Sequence, residues 1–151
     1  MSTRGKIILK INETDKGKKL HFLLDKLPSD CVCGNKFIDK VGDVTLNKNY
    51  IAIYNHFDSY ISGVGKTLLT MFNDYDSILN LLLGGDVSTI VDGHIFQYCA
   101  YYGDDWEDAE PKQEDVLESI SKEDFNYVFK DNEWYVKEYS ETKWSKLADC
   151  I

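Results

Sequence analysis

The amino-acid sequence predicts an α+β fold in which a mainly antiparallel sheet of about five strands packs against central helices. Three patterns support this prediction: alternating apolar residues near the start, a helical stripe in the middle, and two aromatic-rich strands around a short turn near the end. The chain has 151 residues, of which 43% are hydrophobic, and it shows no internal repeat or long linker. This size and composition predict a single domain over residues 1–151.

Two strands are predicted in the first half of the chain. Residues 5–11 alternate between apolar side chains such as Ile7 and Leu9 and two lysines, which predicts a strand buried on one face. Residues 50–56 are apolar on both faces, which predicts a strand in the centre of the sheet.

Helices and a hairpin follow. Apolar residues recur at three- and four-residue steps over 64–82, with a break near Asp74 or Asp76, either of which is a suitable N-cap for a second helix. Aromatic residues over 94–102 predict a further strand, and 114–121 predicts a short helix. Two final strands flank a two-residue turn at Asp131 and Asn132, and their register predicts two cross-strand pairs, Phe129 with Trp134 and Tyr127 with Val136.

Charge is distributed unevenly along the chain. The net charge is −9, but residues 1–75 carry a net +3 and residues 76–151 a net −12. This acidic balance argues against direct binding of nucleic acid through its phosphates. The densest acidic cluster surrounds one tryptophan and comprises Asp104, Asp105, Trp106, Glu107, Asp108 and Glu110.

Three interpretations of this acidic cluster are open. The commonest role of such a segment is a solvated loop that aids solubility. The second is a surface for a protein partner with a basic groove, in which Trp106 serves as an aromatic anchor. The third, a calcium site, ranks last because the spacing is not that of an EF-hand.

Several other classes of protein are disfavoured. No segment approaches about 18 consecutive apolar residues, and the opening residues lack a secretory signal, so we expect a cytoplasmic protein without membrane contact. Cys31 and Cys33 are separated by one residue, whereas zinc ligands usually have two to four between them. We therefore predict no metal and no cofactor, with reduced thiols favoured, although metal binding by Cys31 and Cys33 is left open.

Residues 62–67 imitate a phosphate-binding P-loop. The full pattern GxxxxGK[ST] requires its first glycine at position 60, where this chain has Tyr60. The chain also lacks the repeated βα units of P-loop folds, so nucleotide hydrolysis by such a loop is disfavoured.

The polar loop after residues 50–56 is a candidate ligand site. A helix that begins near Gly63 would direct free N–H groups towards it, Asp58 would orient the His56 imidazole, and Arg4 on the neighbouring strand would bind a carboxylate or phosphate. The opposing interpretation is that these groups only cap the helix and satisfy buried backbone. The candidate ligand-binding residues are Arg4, Tyr54, His56, Asp58, Tyr60, Ser62, Gly63, Gly65 and Lys66.

Three sequence blocks carry a family resemblance: MSTRG at residues 1–5, YNHFDSY at 54–60 and SGVG at 62–65. Together they resemble a family of small bacteriophage and prophage proteins of unknown function, whose members open MSTRG or MGTRS and carry a YxH-aromatic-D-[GS]-Y-x-x-G-x-G block before a leucine-rich helix. The GGDVS segment at 84–88 and the hairpin at Trp134 are also similar, whereas many relatives have proline where this chain has Ile61. The resemblance implies a mobile-element origin and transfers no activity.

Two hypotheses for function follow. The leading one is a phage-encoded, non-enzymatic acidic protein that binds and inhibits a host defence or nucleic-acid-processing protein, with mimicry of nucleic acid as the mechanism. The alternative is a binding protein for a small anionic ligand such as a nucleotide signal, or a small hydrolase with His56 as general base, Asp58 orienting it, and Arg4 or Lys66 stabilising negative charge.

Overall fold

The computed structural model describes residues 3–24, 40–91, 96–97 and 110–151. These residues form a mixed α+β structure, as predicted, with one eight-stranded sheet and a separate two-stranded sheet. That the whole of residues 1–151 is one domain stays a prediction.

The strands are β1 (Gly5–Lys10), β2 (Lys19–Leu24), β3 (Lys40–Thr45), β4 (Tyr50–Asn55), β5 (Val87–Thr89), β6 (Phe96–Gln97), β7 (Lys112–Glu114), β8 (Phe125–Lys130), β9 (Glu133–Glu138) and β10 (Ser145–Lys146). The helices are α1 (Lys66–Met71), α2 (Tyr75–Leu82) and α3 (Leu117–Ile120), with a π-helical turn at Ile61–Gly65 and 3-10 turns at Glu13–Asp15 and Leu147–Cys150. Of the strand predicted over 94–102, only β6 lies within the described residues.

The large sheet has the strand order β10-β9-β8-β1-β4-β5-β6, and β7 pairs with the first half of β4 beside β5. Most pairings are antiparallel, whereas β1 pairs with β8 and β4 with β5 in parallel. The sheet has more than the predicted five strands. The strands β5, β6, β7 and β10 have only two or three residues each. Strands that short cannot display an alternating pattern in the sequence.

Both faces of the sheet are covered within the described residues. One face, here called the α1–α2 face, carries the larger core, in which Ile7 and Ile53 are joined by residues of α1 and α2. The other, here called the α3 face, carries a smaller cluster in which Ile8 is fully buried against Leu117 of α3. The prediction that β1 is buried on one face only was therefore wrong, because α3 covers Ile8 between the lysines on either side of it.

The N-cap of the second central helix and the hairpin are confirmed, whereas the helix predicted over 114–121 is confined to Leu117–Ile120 because Glu114 belongs to β7. The Asp74 carboxylate accepts a hydrogen bond of 3.1 Å from the backbone N–H of Ser77 at the start of α2. The hairpin turn has left-handed backbone at Asp131 and Asn132, with φ of 51° and 64°, which is typical of a type I′ turn. Its strands pair in the predicted register, with Phe129 opposite Trp134 and Tyr127 opposite Val136. No helix in the described ranges is long and apolar enough to cross a bilayer.

Candidate functional site

The loop that follows β4 is held by a buried hydrogen-bond network. The side-chain amide of Asn55 donates to the carbonyl oxygen of Phe57 at 2.7 Å and to the hydroxyl oxygen of Ser59 at 2.6 Å. The backbone N–H of Ser59 donates to the Thr3 carbonyl oxygen at 3.1 Å, and the hydroxyl of Tyr127 donates to the Ser59 carbonyl oxygen at 2.5 Å. Asn55 and Ser59 are both fully buried. Asn55, Phe57 and Ser59 of the YNHFDSY block therefore stabilise the conformation of this loop.

The same network leaves no room for a side chain at Gly63 and little room for one at Gly65. A Cβ atom on Gly63 would lie 2.5 Å from the Asp58 carbonyl oxygen, and a Cβ atom on Gly65 would lie 3.1 Å from the Tyr127 hydroxyl oxygen. Gly5 has the same constraint, because its Cβ would lie 2.6 Å from the Ser59 hydroxyl oxygen. The glycines of the SGVG segment are therefore explained by close packing of the loop, without a ligand.

The backbone N–H groups of Gly63, Val64, Gly65 and Lys66, which were expected to be free, all have backbone partners in the structure. The backbone N–H of Gly63 donates to the Tyr60 carbonyl oxygen at 3.0 Å, and that of Val64 donates to the Asp58 carbonyl oxygen at 2.9 Å. The N–H of Lys66 bonds within the π-helical turn, and α1 has only six residues. The prediction was wrong for these four residues, because their N–H groups donate to carbonyl oxygens of the turn and of Asp58, whereas a phosphate-binding loop directs such groups at its ligand.

The sheet separates the predicted ligand residues into two groups. Strand alternation places Tyr54 and His56 on the α3 face, where the Tyr54 hydroxyl oxygen lies 2.7 Å from Nδ1 of His56 in a hydrogen bond. Ser62 and Lys66 instead lie on the π-helical turn and α1, on the opposite face. The sequence could not show this division, because adjacent loop residues can project from either face.

Asp58 does not have the orienting role that the sequence predicted. Its carboxylate accepts hydrogen bonds of 3.4 Å from the hydroxyls of Tyr60 and Thr89, and its backbone has a positive φ of 62°. The described polar contact of the buried His56 ring is with the Tyr54 hydroxyl, and the Phe57 ring packs edge-on against it at 4.5 Å between centroids. A His56–Asp58 pair for general base catalysis is thus absent from the described contacts.

β1 lies beside β4 in the sheet, as predicted. Gly5 of β1 pairs with Asn55 of β4, so continuing this antiparallel register by one residue sets Arg4 opposite His56 on the α3 face. Lys6 pairs with Tyr54 on the same face. We call Arg4, Lys6, Tyr54 and His56 the basic end of the sheet. Neither Arg4 nor Lys6 forms an ion pair with a described residue.

Ser62 and Lys66 border two shallow clefts on the other side. One, of about 230 Å³, is also lined by Gly63, Thr67 and the exposed Met71. The other, of about 570 Å³, lies between the π-helical turn, β8 and the last two residues of the chain. Lys66 is exposed at the rim of both clefts.

The acidic cluster falls outside the described residues except for Glu110. Its continuation is described, and sequence reasoning missed it as a surface. Asp115 and Val116 follow β7 and Glu118 lies on α3; both carboxylate residues are exposed, and the Val116 side chain between them is 53% exposed. The sequence signal was available, since residues 104–118 contain eight acidic residues and one lysine. We call residues 104–118 the acidic segment.

Within the described part of the chain, no three His, Cys, Asp or Glu side chains are grouped as metal ligands. Cys31, Cys33 and Cys99 lie outside the described residues, and Cys150 is an exposed free thiol. Comparisons with protein-family models, with curated proteins and with solved structures found no match to this chain.

Proposed function

We propose that the chain is a non-enzymatic accessory protein of phage or prophage origin that binds a basic groove of a host protein through its acidic segment. The host protein would be a defence or nucleic-acid-processing protein in the host cytoplasm, and the segment would occupy the place of nucleic acid. The observation that supports this proposal is the exposed face of Asp115, Val116 and Glu118, which continues the densest acidic stretch of the sequence.

The described part of the acidic segment is rigidly held, as an interface of this kind requires. Leu117 and Ile120 are at most 8% exposed and fix α3 to the sheet. β7 pairs with β4, and the Gln113 side chain accepts from the N–H of Asn47 at 3.1 Å and donates to the Thr45 carbonyl oxygen at 2.9 Å. A preorganised surface loses less conformational entropy on binding, so its exposed charges contribute more to affinity.

The chemistry of this face favours a protein partner over a small molecule. The exposed Val116 side chain lies between two carboxylates, so this face has an apolar centre within a charged surround. Complementary charge accelerates association and sets partner choice, so binding of this kind weakens as salt rises.

The test is a pair of charge-matched variants assayed for inhibition of host phage defence in cells. The first variant carries Asp115→Asn and Glu118→Gln, and the control carries Asp76→Asn and Asp149→Asn, which removes the same charge from exposed sites elsewhere. We expect the parent protein and the control to restore phage plating on host cells that carry the defence. The first variant should fail to restore it. Inhibition that survives both variants and neutralisation of residues 104–110 would overturn the proposal.

A second candidate function rests on the basic end. Arg4 and Lys6 place two cations beside the Tyr54–His56 pair on one face, which suits a small anionic ligand such as a nucleotide signal. Binding without turnover is favoured over hydrolysis, because the described contacts of Asp58 are with Tyr60 and Thr89. Calorimetric titration with nucleotides, using Arg4→Gln against Lys122→Gln as control, tests it. Equal affinity in both variants would remove this candidate.

A further inference from the structure

The larger of the two clefts at Lys66 lies on the α1–α2 face of the sheet, and its volume of about 570 Å³ is in the range of small-molecule sites. One wall is formed by the π-helical turn and by Lys66, the first residue of α1. The other wall is formed by the start of β8, the end of β9 and the residues Cys150 and Ile151. None of its described lining residues belongs to the acidic segment or to the basic end.

Both walls of this cleft are held by buried contacts. Gly65 in the turn packs so closely against Leu147 that an added Cβ atom would lie 3.4 Å from the Leu147 side chain. Leu147 is fully buried, and the short strand β10 that precedes it pairs with β9. The Tyr127 hydroxyl donates to the Ser59 carbonyl oxygen and so ties β8 to the segment that leads into the turn. A site whose walls are already in place loses little conformational entropy when a ligand enters.

The two walls carry opposite charges. Lys66 is exposed on the side of α1, whereas Glu138 is exposed at the end of β9, where it pairs with Phe125 of β8. Phe125 packs against the core of the α1–α2 face, and cross-strand partners share a face, so Glu138 lies on that face too. Burial, and after it the negative charge of Glu138, raises the pKa of Tyr127, as expected for a carboxylate near that phenol.

Neither charge is neutralised by another described residue. Lys66 and Glu138 form no ion pair within the described part of the chain. The cation–π contacts of the described residues involve Lys10, Lys130 and Lys137, so no described ring holds the Lys66 ammonium group away from the cleft. The cleft therefore separates a cation on one wall from an anion on the other.

The remaining lining is mostly apolar. Ile61 and Phe125 are half-buried and pack against the core, and the Ile151 side chain at the edge is 59% exposed. The Ser62 hydroxyl and the Cys150 thiol add two small polar groups. An apolar surface with a few polar groups at fixed places is typical of sites for small molecules.

We propose that this cleft binds a small zwitterion whose carboxylate and ammonium group are separated by an apolar body. The carboxylate of the ligand accepts from the Lys66 ammonium group, its own ammonium group donates to Glu138, and its apolar body covers Ile61 and Phe125. An anion or a cation alone leaves one of the two protein charges without a partner. The inference is independent of the proposed function, since it uses no residue of the acidic segment.

The test is calorimetric titration of the full chain with ε-aminocaproate, caproate and hexylamine at constant ionic strength. Caproate and hexylamine keep an apolar chain of the same length, but each lacks one of the two charges. We expect ε-aminocaproate to bind saturably and about tenfold more tightly than either of the others. In Lys66→Gln it should bind no more tightly than hexylamine, and in Glu138→Gln no more tightly than caproate.

Two controls remove the same charges elsewhere. Lys122→Gln and Asp76→Asn lie at exposed positions outside the cleft and should leave the preference for ε-aminocaproate unchanged. Thermal unfolding of every variant checks that the fold is intact. Leucine, whose two charged groups are adjacent, should bind more weakly than ε-aminocaproate because it cannot reach both walls.

The Cys150 thiol locates the bound ligand by a second measurement. It is exposed at the cleft, with Sγ 3.4 Å from the Lys146 carbonyl oxygen. Saturating ε-aminocaproate should slow alkylation of Cys150, measured by mass spectrometry of the peptide that contains it, and this protection should be absent in Lys66→Gln. No saturable binding of ε-aminocaproate, equal weakening in the control variants, or tighter binding of leucine would each overturn the proposal.

Discussion

The Tyr127 hydroxyl donates a 2.5 Å hydrogen bond to the carbonyl oxygen of Ser59 and so joins β8 to the loop after β4. Both residues are fully buried. We expect Tyr127→Phe to lower the free energy of unfolding by about 1–3 kcal/mol, because the Ser59 carbonyl oxygen would lose this partner inside the core. Urea unfolding measures the change, and Tyr139→Phe, at a position that is 70% exposed, should cost little. Equal effects of the two substitutions would contradict the role of the network.

Gly63→Ala tests the packing of the π-helical turn. The new methyl group would meet the Asp58 carbonyl oxygen at 2.5 Å, and a backbone atom cannot move aside cheaply. We expect a loss of about 1–3 kcal/mol in the free energy of unfolding. Ser62→Ala is the matched control at an exposed neighbouring position and should stay within about 0.5 kcal/mol. A neutral Gly63→Ala would contradict the packing explanation for this glycine.

The elements that the sequence predicted are those encoded by local patterns. The N-cap at Asp74 and the turn at Asp131 and Asn132 depend on side chains within a few residues of one another. Trp134 lies opposite Phe129 because the length of that turn sets the register of the hairpin.

The parts that the sequence did not predict depend on distant contacts. The parallel pairing of β1 with β8 joins residues about 120 positions apart, and no local pattern reports such a neighbour. The pairing of β1 with β4 was correctly predicted from two strongly patterned strands. The separation of His56 from Lys66 was not, because it required knowledge of which face each loop residue occupies.

Alkaline pH should destabilise the protein through its tyrosines. Burial raises the pKa of Tyr75 from 10.0 to about 12, and burial also raises the pKa of Tyr127. Below pH 10 these phenols are neutral in both the folded and the unfolded chain. Between pH 10 and about 12 the unfolded chain loses the phenol proton of Tyr75, whereas the folded chain keeps it. Stability is therefore retained below pH 10 and lost as pH rises towards 12. Urea midpoints across this range should fall less steeply in Tyr75→Phe, and an unchanged slope would contradict the prediction.

The N-cap of α2 gives the protein an acid-sensitive contact. Hydrogen bonds from Ser77 hold the pKa of the Asp74 carboxyl below its ordinary value of 3.8. A lowered pKa contributes stability above pH 3.8, and that contribution is lost as pH falls through the folded-state value. Asp74→Ala should lower the thermal midpoint at neutral pH, and its difference from the parent should shrink at acid pH. The control is Asp76→Ala, because the hydrogen bond from the Ser77 N–H goes to Asp74 and not to Asp76. It should lower the thermal midpoint less at neutral pH.

Trp134 connects the hairpin to the segment between the two main helices. Its indole N–H donates to the Phe72 carbonyl oxygen at 2.7 Å, and its ring meets Phe129 edge-on at 5.3 Å between centroids. Trp134→Phe retains an aromatic ring but removes the donor, so we expect a loss of about 1–3 kcal/mol in the free energy of unfolding. Trp144→Phe is the control, because that ring is only partly buried at the edge of the α3 cluster. If chemical denaturation gave equal losses for the two tryptophans, the bond to Phe72 would not be what stabilises this junction.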